Sequence, residues 1–72
     1  MTHIITVKGK ALTETGISVK DAMRLADLHC KVRYGSRVDW DLDMQEAKEH
    51  NGNSGTVQLE DQELYVEIYP TD

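Results

Sequence analysis

The fold is decided by one stretch, residues 18–30, which reads SVKDAMRLADLHC. Its first four residues have the Ser-x-x-Asp form of a helix capping box, in which the Ser18 hydroxyl accepts a hydrogen bond from a first-turn N–H. At about 100° per residue, the apolar positions fall on one broad stripe and the charged positions fall opposite. The stripe consists of Val19, Ala22, Met23, Ala26 and Cys30, with Leu25 at its flank. The stretch therefore predicts an amphipathic helix that lies on a sheet.

The residues after this helix predict a hairpin that returns to the core. Residues 30–34 and 38–42 alternate apolar and polar side chains, the period of a half-buried strand. A three-residue loop over residues 35–37 places Val32 beside Trp40 on the core face. The same register sets two basic residues opposite two acidic ones, Arg33 with Asp39 and Lys31 with Asp41.

The segments before and after these elements show further signals. Residues 4–8 are rich in β-branched side chains and predict a first strand, whereas residues 9–16 predict a loop. A second capping-box form at residues 43–46 predicts a helix of about two turns. Residues 51–55 are rich in Gly and Asn and predict a flexible loop after it.

The end of the chain predicts a terminal hairpin. Its apolar residues alternate with polar ones, and a two-residue turn at Asp61 and Gln62 places Leu59 opposite Leu64 on the core face. The element order is therefore β-α-β-β-α-β-β. This order predicts an α+β fold, an open-faced sandwich in which one long helix covers one face of a mainly antiparallel sheet, in a single domain over residues 1–72.

Composition limits the classes of function. The chain has 72 residues, and so short a domain leaves little room for an enclosed substrate cavity. The sequence shows neither a long apolar run nor a signal-peptide pattern at its start, so we expect neither export nor membrane insertion. The single cysteine allows no internal disulfide, which favours a cytoplasmic location.

The patterns that carry catalysis or metal binding are weak. His29 and Cys30 are adjacent, so their side chains diverge by about 100° on a helix and cannot converge on a zinc ion or act as a nucleophile with its base. Asp39, Asp41 and Asp43 lack the glycine and the distal glutamate of a calcium loop. We therefore expect Cys30 in the core, the histidines at the surface or its flank, and no metal, cofactor or enzymatic activity.

Charge is divided unevenly along the chain, whose formal net charge is −5. Residues 1–37 hold seven of the eight Lys and Arg against three acids, a balance of +4. Residues 38–72 hold ten acids against one lysine, a balance of −9. The negative total disfavours direct binding of nucleic acid and favours a partner protein with a basic surface.

The acidic half predicts a binding surface on the second helix and the terminal hairpin. Tyr65 and Tyr69 alternate with the apolar residues of the last strand, so they project from the sheet face that the long helix leaves open. Aromatic anchors in acidic surroundings are typical of a protein interface. The predicted partner-binding residues are Asp43, Glu46, Glu49, Glu60, Asp61, Glu63, Tyr65, Glu67 and Tyr69.

Two hypotheses for function follow from these patterns. The first is a non-enzymatic acidic module whose carboxylates imitate a nucleic-acid backbone and occupy a basic site on another protein. In size and charge the chain resembles the small inhibitors that bacteriophages and mobile elements make against host nucleic-acid-binding proteins. The alternative is a small subunit or adaptor of a bacterial complex, or a small enzyme or carrier, that works through the basic strip of the first helix (Lys20, Arg24 and Lys31).

Overall fold

The chain forms an open antiparallel sheet with helices on one side. The computed structural model describes residues 2–16 and 18–71. In chain order the elements are β1 (His3–Val7), β2 (Lys10–Gly16), α1 (Val19–Tyr34), β3 (Asp39–Trp40), α2 (Met44–His50), β4 (Asn53–Gln58) and β5 (Glu63–Pro70). All neighbouring strands are antiparallel, in the order β2-β1-β5-β4-β3. The predicted α+β class and the open sheet covered by one long helix are confirmed.

α1 begins at the predicted capping box and continues through residues 30–34, for which alternation predicts a strand. The Ser18 hydroxyl accepts a hydrogen bond from the Asp21 N–H at 3.2 Å. The helix ends at Gly35, whose φ of 76° lets its N–H donate to the Lys31 carbonyl at 2.9 Å. A nucleated helix extends at little cost until such a stop residue, so the predicted hairpin is wrong. Val32 is 79% exposed on the helix instead of packing in the core beside Trp40.

β2 occupies the residues for which a loop is predicted. Lys8 and Gly9 form a tight turn with φ values of 57° and 79°, and Val7 pairs with Lys10 across it. Two-residue turns with positive φ at both positions match the twist of antiparallel strands. The loop prediction is therefore wrong, and the threonines that follow the turn are residues that favour a strand.

The core lies between α1 and the sheet face that it covers. The helix contributes its predicted stripe, and Val19, Ala22, Met23, Ala26 and Cys30 are all buried. The sheet contributes alternate residues of β1, β4 and β5, namely Ile5, Val7, Val57, Leu64, Val66 and Ile68. Burial of one large aliphatic side chain stabilises the fold by about 1.5–3 kcal/mol, so this pattern determines which sheet face is covered.

Asp27 joins α1 to the short edge strand β3. Its two carboxylate oxygens accept hydrogen bonds from the Val38 N–H at 3.0 Å and from the Trp40 indole N–H at 3.3 Å. Trp40 is half-buried and packs against the core. Because β3 pairs only two residues with β4, the bonds to Asp27 add a second attachment, from α1, to those that β4 makes with this segment.

α2 is the short helix that the second capping box predicts. The Asp43 carboxylate accepts a hydrogen bond from the Glu46 N–H at 2.8 Å, and the helix ends at Asn51, whose φ is 60°. Ala47 is buried in the core and α2 packs against α1, so α2 lies on the same side of the sheet. The predicted flexible loop is wrong from Asn53 onward, where β4 begins.

The terminal hairpin forms with a register two residues from the predicted one. Val57 pairs with Leu64, and the Leu59 N–H donates to the Gln62 carbonyl at 2.8 Å. The turn therefore consists of Glu60 and Asp61. A two-residue shift keeps every side chain on its original face, so the predicted faces are correct although the pairing is not.

Candidate functional site

The sheet face opposite the helices carries a surface of tyrosines and carboxylates. Along β5, Leu64, Val66 and Ile68 are buried against the helices, and the residues between them are exposed. These exposed residues are Glu63, Tyr65, Glu67 and Tyr69. Tyr65 is 64% exposed and Tyr69 is 43% exposed. The prediction that both tyrosines project away from the long helix is confirmed.

β4 and β3 extend this surface toward the sheet edge. Residues directly opposite each other in antiparallel strands project from the same face. Thr56 pairs with Tyr65 on one side and with Asp39 on the other, so all three share the face. Ser54 pairs with Glu67, and its hydroxyl donates to the Asp41 carboxylate at 2.7 Å. We use the name open face for eight residues on this side of the sheet: Asp39, Asp41, Ser54, Thr56, Glu63, Tyr65, Glu67 and Tyr69.

The carboxylates of the open face form two rows, one on each side of β4. Glu63 and Glu67 lie on β5, and Asp39 and Asp41 lie on or next to β3. β3 and β5 are two strand spacings apart, which is about 10 Å. Within the described residues, one ion pair shorter than 4 Å forms, between Arg24 and Asp21 on α1 at 3.8 Å. The open face therefore carries negative charge that none of the described cations pairs with at that distance.

The predicted partner-binding residues do not form one surface. Glu63, Tyr65, Glu67 and Tyr69 lie together on the open face. Glu60 and Asp61 form the turn at one end of β4 and β5. The remaining three belong to α2 on the helix side of the sheet: Asp43 caps it, while Glu46 and Glu49 are exposed along it.

Sequence reasoning missed Asp39 and Asp41 as part of this site. It paired them with Arg33 and Lys31 across a hairpin that does not form, because those two cations lie in the last turn of α1. The signal that points to the correct arrangement is Gly35, which is a typical helix stop as well as a turn residue. With the hairpin removed, both aspartates join the acidic surface.

The residues that suggest catalytic or metal chemistry are kept apart. Cys30 is fully buried in the core, as predicted, whereas His29 is half-buried at the surface of α1. His3 is only 4% exposed, so the prediction of a surface position is wrong for this residue. Its Nε2 lies 3.1 Å from the Asn51 carbonyl oxygen, a contact that ties β1 to the end of α2. Within the described residues, no group of three His, Cys, Asp or Glu side chains is arranged to hold a metal ion.

We expect Cys30 to be protected from alkylation in the native protein. Burial, together with the nearby Asp27 carboxylate, raises the pKa of the Cys30 thiol, so the reactive thiolate is scarce near neutral pH. Iodoacetamide should modify native protein at least about 100-fold more slowly than urea-unfolded protein, as followed by mass spectrometry. Because folding raises the pKa of this thiol, the free energy of unfolding should fall as the pH rises above the pKa that the Cys30 thiol has in the unfolded chain. Equal alkylation rates in the two states would contradict the buried position.

Comparison of the chain with protein-family models, curated proteins and solved structures gives no significant match. None of the described helices is long and apolar enough to cross a membrane.

Proposed function

We propose that the chain is a non-enzymatic protein-binding module whose open face docks on a basic surface of a partner protein. The observation that carries this proposal is the combination of two exposed tyrosines with four carboxylates on one sheet face. Tyrosine supplies a large contact area at low cost in side-chain entropy, and the carboxylates select a partner of opposite charge.

The partner class that fits this surface best is a protein with a nucleic-acid-binding site. The two carboxylate rows run along strands that are about 10 Å apart, between the widths of the DNA minor and major grooves, about 6 and 12 Å. A basic site that binds the two phosphate rows of duplex DNA thus meets two carboxylate rows with a similar spacing. The proposed role is inhibition by charge mimicry of a host protein in the cytoplasm, of the kind that bacteriophages use.

Charge reversal on the open face tests this proposal. The test variant is Glu63→Lys/Glu67→Lys, and the matched control on α2 is Glu46→Lys/Glu49→Lys. Each substitution adds two charges, so both variants move the formal net charge from −5 to −1. All four glutamates are exposed, so both variants should keep the fold, which circular dichroism checks.

The assay uses DNA-binding proteins that the wild-type chain retains from a bacterial lysate and that duplex DNA then releases. With such a protein purified, we expect the open-face variant to bind at least about 100-fold more weakly, since each lost charge contact costs about 1–3 kcal/mol. The α2 control should stay within about threefold of wild type, and wild-type affinity should fall steeply with salt. The proposal fails if the α2 control loses as much affinity as the open-face variant, or if DNA releases no retained protein.

A further inference from the structure

α1 carries a second apolar stripe beside the buried one, in which Leu28 and Val32 face solvent and Leu25 is half-buried against the core. Leu25, Leu28 and Val32 recur at the i, i+3 and i+7 positions, so they follow one side of the helix. Leu28 is 61% exposed and Val32 is 79% exposed. With His29 and Arg33 they line a shallow groove of about 460 Å³. Single exposed apolar residues are ordinary, but a stripe at this spacing is the pattern with which helices dock on partners.

A basic cleft lies next to this groove. Lys8 and Lys10 from the β1–β2 turn and Arg33 from α1 line a space of about 520 Å³, together with apolar side chains such as Leu12. His29 and Arg33 line both spaces, so the apolar groove and the basic cleft are continuous. We call the combined surface the helix groove.

The helix groove is positive although the protein is acidic. The chain has 13 Asp and Glu among its 72 residues, yet among the side chains that the structure describes no Asp or Glu lines the groove or the cleft. Three of its eight Lys and Arg do: Lys8, Lys10 and Arg33. A ligand for this surface must therefore offer apolar side chains to Leu28 and Val32 and negative charge to the three cations.

We propose that the helix groove binds an acidic amphipathic helix of a partner protein. The apolar stripe of such a helix packs on Leu25, Leu28 and Val32, and its flanking Asp or Glu side chains pair with Lys8, Lys10 and Arg33. α1 covers the sheet face opposite the open face, so the two surfaces can be occupied at the same time. The protein then links a basic partner to an acidic one.

The test uses a designed peptide probe of about 18 residues, or five helical turns, with a leucine stripe and glutamate on its other faces. A second peptide carries lysine in place of every glutamate. Binding of the labelled peptides to the full chain is measured by fluorescence anisotropy. We expect saturable binding of the glutamate peptide and at least tenfold weaker binding of the lysine peptide, as order-of-magnitude figures for charge selection.

Two variants and two controls locate the contact. Leu28→Ser/Val32→Ser removes the exposed apolar contacts, and Met44→Ser on α2 is its control, since Met44 is also exposed. Lys8→Gln/Lys10→Gln removes cations of the cleft, and Lys20→Gln/Lys48→Gln removes equal charge outside it. Each groove variant should weaken binding of the glutamate peptide by at least about tenfold, while each control stays within about twofold.

Results of other kinds would show that an acidic helix is not what occupies the helix groove. The proposal is overturned if the glutamate peptide shows no saturation up to about 1 mM, the weak limit of specific contacts. It is also overturned if the controls weaken binding as much as the groove variants. Sedimentation at several concentrations shows whether a second copy fills the groove. Self-association that both Leu28→Ser/Val32→Ser and Glu63→Lys/Glu67→Lys abolish identifies that copy as the occupant and rejects a separate acidic partner.

Discussion

Replacing Asp27 with alanine is expected to lower the free energy of unfolding by about 3–4 kcal/mol. The change removes the acceptor of two hydrogen bonds, and a bond to a charged group contributes about 1.5–3 kcal/mol. The Val38 N–H and the Trp40 indole N–H lose this partner in a part-buried site. Because a chain of 72 residues has a total stability of roughly 4–11 kcal/mol, the expected loss is a large share of it.

Urea denaturation followed by circular dichroism measures this loss, and two further variants serve as its comparison and its control. Asp27→Asn keeps one acceptor oxygen and turns an NH₂ group toward the other donor, so we expect about half of the alanine effect. Asp21→Ala is the control on the same helix: its carboxylate makes one exposed ion pair with Arg24 at 3.8 Å, and we expect a loss below about 1 kcal/mol. Equal losses for Asp27→Ala and Asp21→Ala would show that the bonds to β3 contribute nothing.

The predictable parts of the fold are those that local chemistry sets. Ser18 and Asp43 begin their helices because a short polar side chain satisfies a first-turn N–H, and this depends on residues within one turn. The apolar stripe of α1 and the alternation along β5 identify the buried faces without any knowledge of distant contacts. These features give the α+β class and the covered sheet face.

Residues 30–34 show why the remaining assignments failed. Cys30, Val32 and Tyr34 alternate with polar residues as in a strand. Residues 30–34 are equally compatible with continuation of a helix that has already formed. The competition is settled by helix propagation and by Gly35, which supplies the stop. The register of the last hairpin is ambiguous for a similar reason, since a two-residue shift preserves every face.

The candidate site was predictable along one strand and not across strands. Alternation along β5 places Glu63, Tyr65, Glu67 and Tyr69 on the face away from α1, which is where they lie. The rest of the open face depends on sheet order: β4 and β3 bring Ser54 and Asp39 beside β5 through pairings between distant residues. Charge counting also grouped α2 with this surface, although α2 packs on the other side of the sheet.

Replacing Gly55 with alanine is expected to detach β3 and to lower the free energy of unfolding by about 3 kcal/mol. A Cβ at Gly55 would lie 2.6 Å from the Asp39 carbonyl oxygen and 2.7 Å from Val38 Cγ1. Because the first of these atoms is backbone, relief requires the strand itself to move, at a cost near the upper end of core overpacking. β3 pairs only Asp39 and Trp40 with β4, so it is the element that moves.

Hydrogen exchange of the Asp41 amide separates this local effect from a general loss of stability. That amide donates to the Ser54 carbonyl at 2.8 Å, and its protection should disappear in Gly55→Ala. Gly9→Ala is the matched control: its φ of 79° makes alanine cost about 1–2 kcal/mol, with open space around the new methyl group. Asp41 should stay protected in that control.

Since β3 carries Asp39 into the open face, Gly55→Ala should also weaken binding of a basic partner by about tenfold while the acidic peptide still binds the helix groove. Unchanged affinity for the basic partner in a variant that has lost Asp41 protection would remove β3 from the binding surface and leave β5 as its only acidic row.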